Sequence, residues 1–270
     1  MWLSRFRKTV DTHLPLLGSS YRALREIKAA RPQKTAFGFN IAGAPEMASG
    51  YEDIEISFFL ASLEKHDVVL DIGANVGLYS CLASSRGMPV VAFEPSPRNL
   101  KFLYSNLWNN NFTSAEVFPM GLGDRCELRP IYGFGGISSF IPGWGQAQKS
   151  SFYVVPVTTL DTVLGSRFAG KRLLIKMDVE GFESDVLRGA SGILDATPHP
   201  TWLLEIMFRN PLIPGGINPR FEETFEAFWR YGYRCTTAGA SRRDVSRADV
   251  MRWTASGQVE SLEGNFVFYL

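Results

Sequence analysis

The chain has 270 residues, 45% of them hydrophobic and 20% charged, and a formal net charge of +1. This composition is typical of a folded globular protein and excludes a disordered or fibrous chain. No apolar run reaches the roughly 18 to 20 residues that span a bilayer, and the N-terminus lacks the apolar segment of a secretory signal, so we expect a cytoplasmic protein.

The first 45 residues are expected to form a basic arm, either helical or extended. Residues 1–34 contain eight lysines and arginines against two acidic residues, whereas the rest of the chain has a small acidic excess. One expectation is that the arm packs an apolar stripe on the domain. The alternative is a peripheral contact with an anionic membrane or a phosphorylated glycan.

From residue 46 to 270 we expect a single domain, in which short aliphatic runs alternate with helical patterns. A helix is predicted within 51–67, and the runs that predict strands lie at 68–72, 90–94, 115–119, 173–178 and 202–207. The later helical patterns lie at 78–86, 97–109, 182–194 and 221–233, and closing strands are predicted near 233–237 and 265–270. This alternation predicts a doubly wound α/β domain with helices on both faces of a mostly parallel sheet. The interval from about 125 to 157, rich in Gly, Ser and aromatic residues, predicts a loop or hairpin insertion beside the ligand crevice.

The turn after the first predicted strand has the sequence DIGANVG, residues 71–77. Gly73 and Gly77 permit a tight turn and a close approach of a ligand to the backbone. A dinucleotide site has the pattern G-x-G-x-x-G, and here Asn75 stands where the middle glycine would be. The pattern therefore disfavours a pyrophosphate. It favours a ligand whose acid and amine groups are held by the backbone and by Asp71.

Two further carboxylates fit a nucleoside ligand. Glu94 ends the second predicted strand, where a carboxylate accepts hydrogen bonds from both hydroxyls of an adenosine ribose. Asp124 follows the third strand and is the expected partner of the adenine amine. Together with the first turn, these residues fit S-adenosylmethionine. For either carboxylate taken alone, the alternative is a solvated residue at a strand end or in a turn.

The stretch 173–190 contains the candidate catalytic residues. Lys176 and Asp178 are predicted to share a face of a central strand, because side chains alternate with period two. A buried lysine is costly unless it is paired, so a carboxylate in the crevice is its expected partner, and an architectural ion pair is the alternative. Glu180 and Gly181 form the turn into the next helix. All three histidines lie away from the carboxyl ends of the strands, so a carboxylate, Lys176 or a tyrosine is the expected base.

Taken together, five segments resemble the FkbM family of S-adenosylmethionine-dependent methyltransferases: DIGANVGLYS (71–80), FEP (93–95), VTTLD (157–161), IKMDVEGFESDVLRGA (175–190) and LLEI (203–206). The resemblance implies a class I methyltransferase sheet of seven strands, Rossmann-like and mostly parallel with an antiparallel C-terminal strand. It implies methyl transfer to a hydroxyl of a sugar, glycan or natural-product acceptor. No nucleic-acid partner is expected.

The resemblance also implies a role for each motif residue. The methionine part of the cofactor would be held by Asp71, Gly73, Asn75 and Gly77. The ribose would be held by Glu94 and the adenine by Asp124. The methyl-transfer point would be faced by Lys176, Asp178 and Glu180. The aromatic residues of the insertion, Phe134, Phe140 and Trp144, depart from the family pattern and are expected either to stack on a sugar or to form local core.

The expected reaction is an in-line attack of an acceptor oxygen on the methyl carbon, with Asp178 or Glu180 as general base and Lys176 tuning the base or binding the acceptor. A divalent metal held by strand-end carboxylates is another way to acidify the hydroxyl, but the sequence has no clear ligand set and no metal is expected. Two other functions stay open. One is an NAD-dependent oxidoreductase, and the other is a nucleoside-binding module without catalytic activity.

Overall fold

The computed structural model describes residues 29–48, 53–133, 135–144, 152–209, 216–239, 241–259 and 264–270. The chain divides into two compact units, residues 1–51 and 52–270. In the first unit, strand β1 (Gln33–Lys34) pairs antiparallel with β2 (Asn40–Ile41), and a short 3-10 helix follows at Pro45–Ala48. Most of the predicted basic arm, residues 1–28, lies outside the described residues.

The second unit contains the predicted alternation of helices and strands. It begins with α1 (Asp53–Leu63), β3 (Val68–Ile72), α2 (Leu78–Ser85), β4 (Val90–Phe93), α3 (Pro97–Asn109), β5 (Ala115–Phe118), β6 (Gly121–Leu122), β7 (Glu127–Tyr132), β8 (Phe152–Thr158) and α4 (Leu160–Leu164). It continues with β9 (Leu173–Met177), α5 (Glu183–Arg188), α6 (Ser191–Leu194), β10 (Thr201–Glu205), α7 (Phe221–Trp229), β11 (Arg234–Thr237), α8 (Arg247–Ser256) and β12 (Asn265–Tyr269). Within the described ranges, none of the helices is both long and apolar enough to cross a membrane.

A seven-stranded sheet forms the centre of this unit, in the order β11-β12-β10-β9-β3-β4-β5. The five strands from β10 to β5 are parallel, and β12 runs antiparallel between β10 and β11. Every residue of β3, β4 and β9 is buried, as the mainly aliphatic runs predict for strands covered on both faces, and the buried residues include the charged Asp71 and Lys176. The predicted doubly wound sheet with its antiparallel C-terminal strand is therefore confirmed.

The chain enters this sheet at β3, moves outward to β4 and β5, and then returns to β9 on the other side of β3. The strand order thus reverses between β3 and β9. In open α/β sheets a crevice forms at the carboxyl ends of the strands at such a reversal. This topology determines where the site lies.

A smaller three-stranded sheet, in the order β6-β8-β7, stands beside the central one. Its hairpin pairs β7 with β8 from Glu127 opposite Val157 to Tyr132 opposite Phe152. The segment that follows β7 runs through a 3-10 turn, Gly135–Ile137, toward the crevice. Phe140 and Trp144 are buried, as expected of local core, whereas Phe134 lies outside the described residues.

The single helix predicted over 182–194 is wrong, because the structure has two short helices, α5 and α6, separated at Gly189. A Cβ at Gly189 would lie 2.0 Å from the carbonyl oxygen of Gly123, so the chain is tightly packed at the break. The carboxylate of Asp161 then accepts hydrogen bonds from the backbone N–H groups of Gly192 and Ile193. Asp161 therefore caps α6 as an independent helix, a contact between residues distant in the sequence.

Candidate functional site

An open cavity lies at the carboxyl ends of β3, β4 and β9. Its wall brings together five of the predicted site residues: Gly73, Asn75, Glu94, Asp178 and Glu180. The other four, Asp71, Gly77, Asp124 and Lys176, are not among its lining residues. The crevice predicted from the strand order thus contains candidate carboxylates that follow two strands, β4 and β9, on either side of β3.

The two glycines of the first turn are required by contacts inside the protein. Gly73 has φ +81°, and a Cβ there would lie 1.8 Å from the carbonyl oxygen of Asp178. Gly77 has φ +92°, and its Cβ would lie 2.5 Å from Cδ1 of Leu103 on α3. Gly73 therefore needs glycine for its conformation and for lack of space, whereas Gly77 needs it chiefly for its conformation. From the sequence we expected a ligand to approach the backbone closely at these positions. In the structure the atoms that approach it belong to the protein itself.

Glu94 is buried in the cavity wall at the end of β4. Its Oε2 accepts a hydrogen bond of 2.7 Å from the backbone N–H of Asn75, and its Oε1 accepts one of 2.7 Å from the backbone N–H of Ser96. Asn75 adopts a left-handed conformation, φ 51°, as asparagine does more readily than most residues. Burial raises the pKa of Glu94 to about 7. Asn99 adds a side-chain hydrogen bond to this carboxyl, and since a carboxylate has about four acceptor sites, acceptor capacity is left for a ligand.

Two amide oxygens next to Glu94 are buried and accept no hydrogen bond within the described residues: Oδ1 of Asn75 and Oδ1 of Asn99. Both residues line the cavity, and the Asn99 side-chain N–H group donates to the carbonyl oxygen of Gly135 at 3.2 Å. Buried acceptors without partners are costly, so this wall suits a ligand that brings several O–H or N–H donors. Asn99 was missed in the sequence, where an asparagine on a predicted helix gives no signal.

The turn after β9 carries the acidic side of the cavity. The backbone N–H of Asp178 donates to the carbonyl oxygen of Ile72 at 3.0 Å, which attaches this turn to the end of β3. Glu180 adopts a left-handed conformation, φ 52°, and the indole Nε1 of Trp144 donates to its Oε2 at 3.0 Å. Burial and the neighbouring Asp178 raise the pKa of Glu180 to about 9. Glu180 therefore carries a proton at neutral pH.

Glu183, at the start of α5, supports the same turn from beneath. It is buried, and its Oε1 accepts a hydrogen bond of 2.9 Å from the backbone N–H of Gly181. Burial raises its pKa to about 7. Glu183 was missed in the sequence, although an acidic residue in the first turn is a recognisable sign of a helix N-terminus. Within the described ranges, no group of three or more His, Cys, Asp or Glu side chains is arranged to hold a metal ion.

Asp71 and Lys176 lie on the opposite face of the sheet from the cavity, beneath α2. Oδ2 of Asp71 accepts a hydrogen bond of 2.5 Å from the hydroxyl of Ser80, and the ammonium of Lys176 lies 5.2 Å from the ring centre of Tyr79. Burial raises the pKa of Asp71 to about 6, and the charge of Lys176 opposes this shift. This placement fits the architectural alternative. The prediction that Lys176 and Asp178 share a strand face is wrong. The strand β9 ends at Met177, so Asp178 lies in the turn that follows it.

Asp124 lies outside the cavity, among arginines. Its Oδ2 is 3.8 Å from a guanidinium nitrogen of Arg125 and 3.9 Å from one of Arg188. The described cavity wall near this loop is formed instead by Met120, Gly121 and Leu122. The role of Asp124 at an adenine stays a prediction.

Comparison with known proteins gives one family. Residues 71–235, more than half of the chain, match the model of the methyltransferase FkbM domain. The match includes the turn after β3, Glu94 and the turn after β9, on which the resemblance seen in the sequence depends. That resemblance is therefore confirmed.

Individual relatives are more distant. The hexuronic acid methyltransferase AglP of Haloferax volcanii is 28% identical over 153 residues, which cover 54% of this chain and 59% of that protein. The methyltransferase sdnD of Sordaria araneosa is 27% identical over 208 residues, or 62% of this chain and 74% of that protein. A crystal structure of methyltransferase FkbM from Methylobacillus flagellatus shares 18% identity, covers 76% of this chain and 44% of its own, and superposes with a TM-score of 0.46. The chain thus matches less than two thirds of the length of the Haloferax protein.

Proposed function

Because the chain belongs to the methyltransferase FkbM domain family, we propose that it transfers the methyl group of S-adenosylmethionine to a hydroxyl oxygen of a neutral sugar or natural-product acceptor. The observation that carries this proposal is that one cavity contains both a set of hydrogen-bond acceptors suited to a nucleoside and a pair of carboxylates. Glu94 belongs to the first group, and Asp178 and Glu180 form the second.

The acceptor groups of the cavity fit the donors of S-adenosylmethionine. The carboxylate of Glu94 suits the two ribose hydroxyls, since its backbone partners already hold it in place. The buried amide oxygens of Asn75 and Asn99 would accept hydrogen bonds from the amine groups or hydroxyls of the same molecule. Gly73 leaves the turn free of a side chain beside them. These residues would hold the cofactor.

S-adenosylmethionine, when bound, would supply a methyl carbon on a sulfonium, whose carbon–sulfur bond would be exchanged for the new carbon–oxygen bond and leave a neutral thioether. The acceptor oxygen forms the new carbon–oxygen bond and loses its proton to a carboxylate of the protein. The cavity wall contributes by fixing the acceptor in line with the methyl group. Such positioning supplies roughly 7 to 11 kcal/mol in well-oriented reactions.

We assign different roles to Asp178 and Glu180. Glu180 carries a proton at neutral pH, because its pKa is raised to about 9 by burial and by the charge of Asp178. A protonated carboxyl donates a hydrogen bond and does not act as a base. Asp178 therefore accepts the proton of the acceptor hydroxyl, and Glu180 donates a hydrogen bond that orients the acceptor.

The charge of the cavity favours a neutral acceptor. Its described lining residues contain no lysine or arginine that could pair with an anionic acceptor, and the carboxylate of Asp178 is among them. A hexuronic acid, for which the Haloferax relative is named, carries a carboxylate that this wall would repel. A neutral glycoside presents hydroxyls without that penalty. We therefore place uronic acids second among the candidate acceptors.

A methyl-transfer assay tests this function. The protein is incubated with S-adenosylmethionine labelled on its methyl group and with a panel of neutral glycosides and matched uronic acid glycosides. Transfer of label to the neutral members, lost in the Asp178→Asn variant, is the expected result. Transfer to uronic acids alone would contradict the proposed acceptor class, and transfer to none of the glycosides would contradict the choice of a sugar acceptor.

A further inference from the structure

The segment after β7 contacts Glu180 at two points. The indole Nε1 of Trp144 donates to Oε2 of Glu180 at 3.0 Å, and the hydroxyl of Ser139 donates to the backbone carbonyl oxygen of Glu180 at 2.7 Å. Both Trp144 and Ser139 are 1% exposed. The side chain and the backbone of Glu180 are thus both held by the segment after β7. This segment belongs to the insertion, whose aromatic residues depart from the family pattern.

The backbone beneath these contacts is unusual. Glu180 has φ 52° and Gly181 has φ 89°, so two consecutive residues adopt left-handed conformations. For a residue with a Cβ this costs roughly 1 to 2 kcal/mol, and such conformations persist where the surroundings impose them. A Cβ on Gly181 would lie 2.5 Å from the ring of Trp144, so the indole packs directly on this turn.

The indole N–H of Trp144 has a hydrogen-bond partner, unlike that of another fully buried tryptophan of the same unit. Trp253 on α8 is also fully buried, but its Nε1 has no hydrogen-bond partner within the described residues. A phenylalanine would fill much of the space at either position. The N–H group of Trp144 therefore contributes a hydrogen bond to a carboxyl of the cavity wall, which packing alone does not require.

We propose that Trp144 is a positioning residue for methyl transfer: with Ser139 it fixes Glu180 in its left-handed turn and holds Oε2, so that Oε1 is left to bind the acceptor hydroxyl. This inference rests on the proposed function, because it takes Glu180 as the group that orients the acceptor. Trp144 itself acts through Glu180 and is not assigned a contact with the reacting atoms.

The charges around Glu180 give this contact a measurable consequence. Asp178, Glu183 and Glu205 all face it, and together with burial they raise its pKa. The hydrogen bond from Trp144 acts in the opposite direction, because it stabilises the ionised carboxylate. Loss of the indole N–H should therefore raise the pKa of Glu180 further, in addition to loosening its side chain.

The direct test follows the indole N–H resonance of Trp144 by NMR in the full chain, assigned by its absence from the Trp144→Phe spectrum. We expect this resonance to shift with an inflection near pH 9, where Glu180 ionises, and to lose that inflection in Glu180→Gln. The indole resonance of Trp253 serves as the internal control and should not follow the same titration. A Trp144 resonance that does not respond to pH, or that responds equally in Glu180→Gln, would overturn the proposal.

A kinetic test uses the neutral glycoside that accepts label in the panel. In Trp144→Phe we expect the rate at the optimum to fall roughly tenfold, as for loss of one hydrogen bond between neutral groups, and the alkaline decline in rate to move upward by roughly one pH unit. Trp253→Phe should leave the position of that decline unchanged. An unchanged pH profile in Trp144→Phe would contradict the proposal.

The two failures can be told apart. The NMR titration needs neither cofactor nor acceptor, so a protein that transfers methyl groups but shows no Trp144 titration loses only the positioning role. A protein that shows the titration but neither binds S-adenosylmethionine nor transfers its methyl group loses the proposed function.

Discussion

Asp71 and Lys176 lie side by side on the parallel strands β3 and β9, and each residue is only 2% exposed. The positive charge of Lys176 favours the ionised form of Asp71, which burial disfavours. Burying either charge alone would be expensive. The two residues therefore depend on each other beneath α2, on the side of the sheet away from the cavity.

Replacing Lys176 with Met should destabilise the fold by roughly 3 kcal/mol, because it leaves Asp71 buried without a compensating charge. The double variant Asp71→Asn with Lys176→Met should lose less than the sum of the two single variants. Urea unfolding of the four proteins measures the coupling. Additive losses would show that the two side chains do not compensate each other.

Replacing Gly73 with Ala should lower the stability of the fold more than the same change at Gly87. Both glycines have positive φ, +81° and +75°, so each substitution has a similar backbone cost, roughly 1 to 2 kcal/mol. A Cβ at Gly73 also collides with the carbonyl oxygen of Asp178, whereas a Cβ at Gly87 has nothing within 4 Å. Thermal unfolding compares the two variants. Equal losses of stability in the two variants would mean that the turn after β9 can move away from the new Cβ at little cost.

Asp178→Asn and Glu180→Gln should differ in activity at neutral pH. Asn cannot accept the proton of the acceptor, so Asp178→Asn should lower the rate at least a hundredfold with little change in cofactor affinity. Gln resembles the protonated form of Glu180, donating and accepting hydrogen bonds, so Glu180→Gln should stay within about tenfold of wild type. Steady-state rates with the labelled cofactor decide this. The reverse order of the two variants would make Glu180 the base.

Stability should fall as pH rises from about 4.5 to about 7, the interval between the ordinary pKa of Glu183 and its raised value. In this interval the folded protein binds more protons than the unfolded chain, so each step upward in pH favours unfolding. One pKa unit corresponds to about 1.4 kcal/mol, so Glu183 contributes up to about 3 kcal/mol to the fall. Urea unfolding across this range should give a smaller fall in Glu183→Gln. The exposed Glu64→Gln is the control, and identical profiles in all three proteins would refute the assignment.

The fold was readable from the sequence because its strands are buried on both faces. Short, mainly aliphatic runs such as 68–72, where Asp71 is the single charged residue, are typical of strands that helices cover on both sides, and the helical periodicity between them gives the alternation. The strand order then locates the crevice, so Glu94 and Asp178 were correctly placed at its edge. Local pattern and general topology were sufficient for these features.

The direction of individual side chains was not readable in the same way. Alternation along β9 stops at Met177, and the turn that follows brings Asp178 to the cavity while Lys176 stays beneath α2. The contact between Trp144 and Glu180 joins residues that are 36 positions apart in the sequence. Such contacts depend on how the insertion folds over the sheet, which no local pattern encodes.

The most direct test of the central claim is calorimetric titration of the protein with S-adenosylmethionine and with S-adenosylhomocysteine, with NAD as the comparison ligand. We expect one molecule of either adenosyl compound to bind per chain, at least tenfold more weakly in Glu94→Gln, and NAD to give no heat. Glu116→Gln, which changes an exposed carboxylate on the neighbouring strand β5, should bind as the wild type does. Absence of heat with both adenosyl compounds, or binding of NAD in their place, would contradict the account.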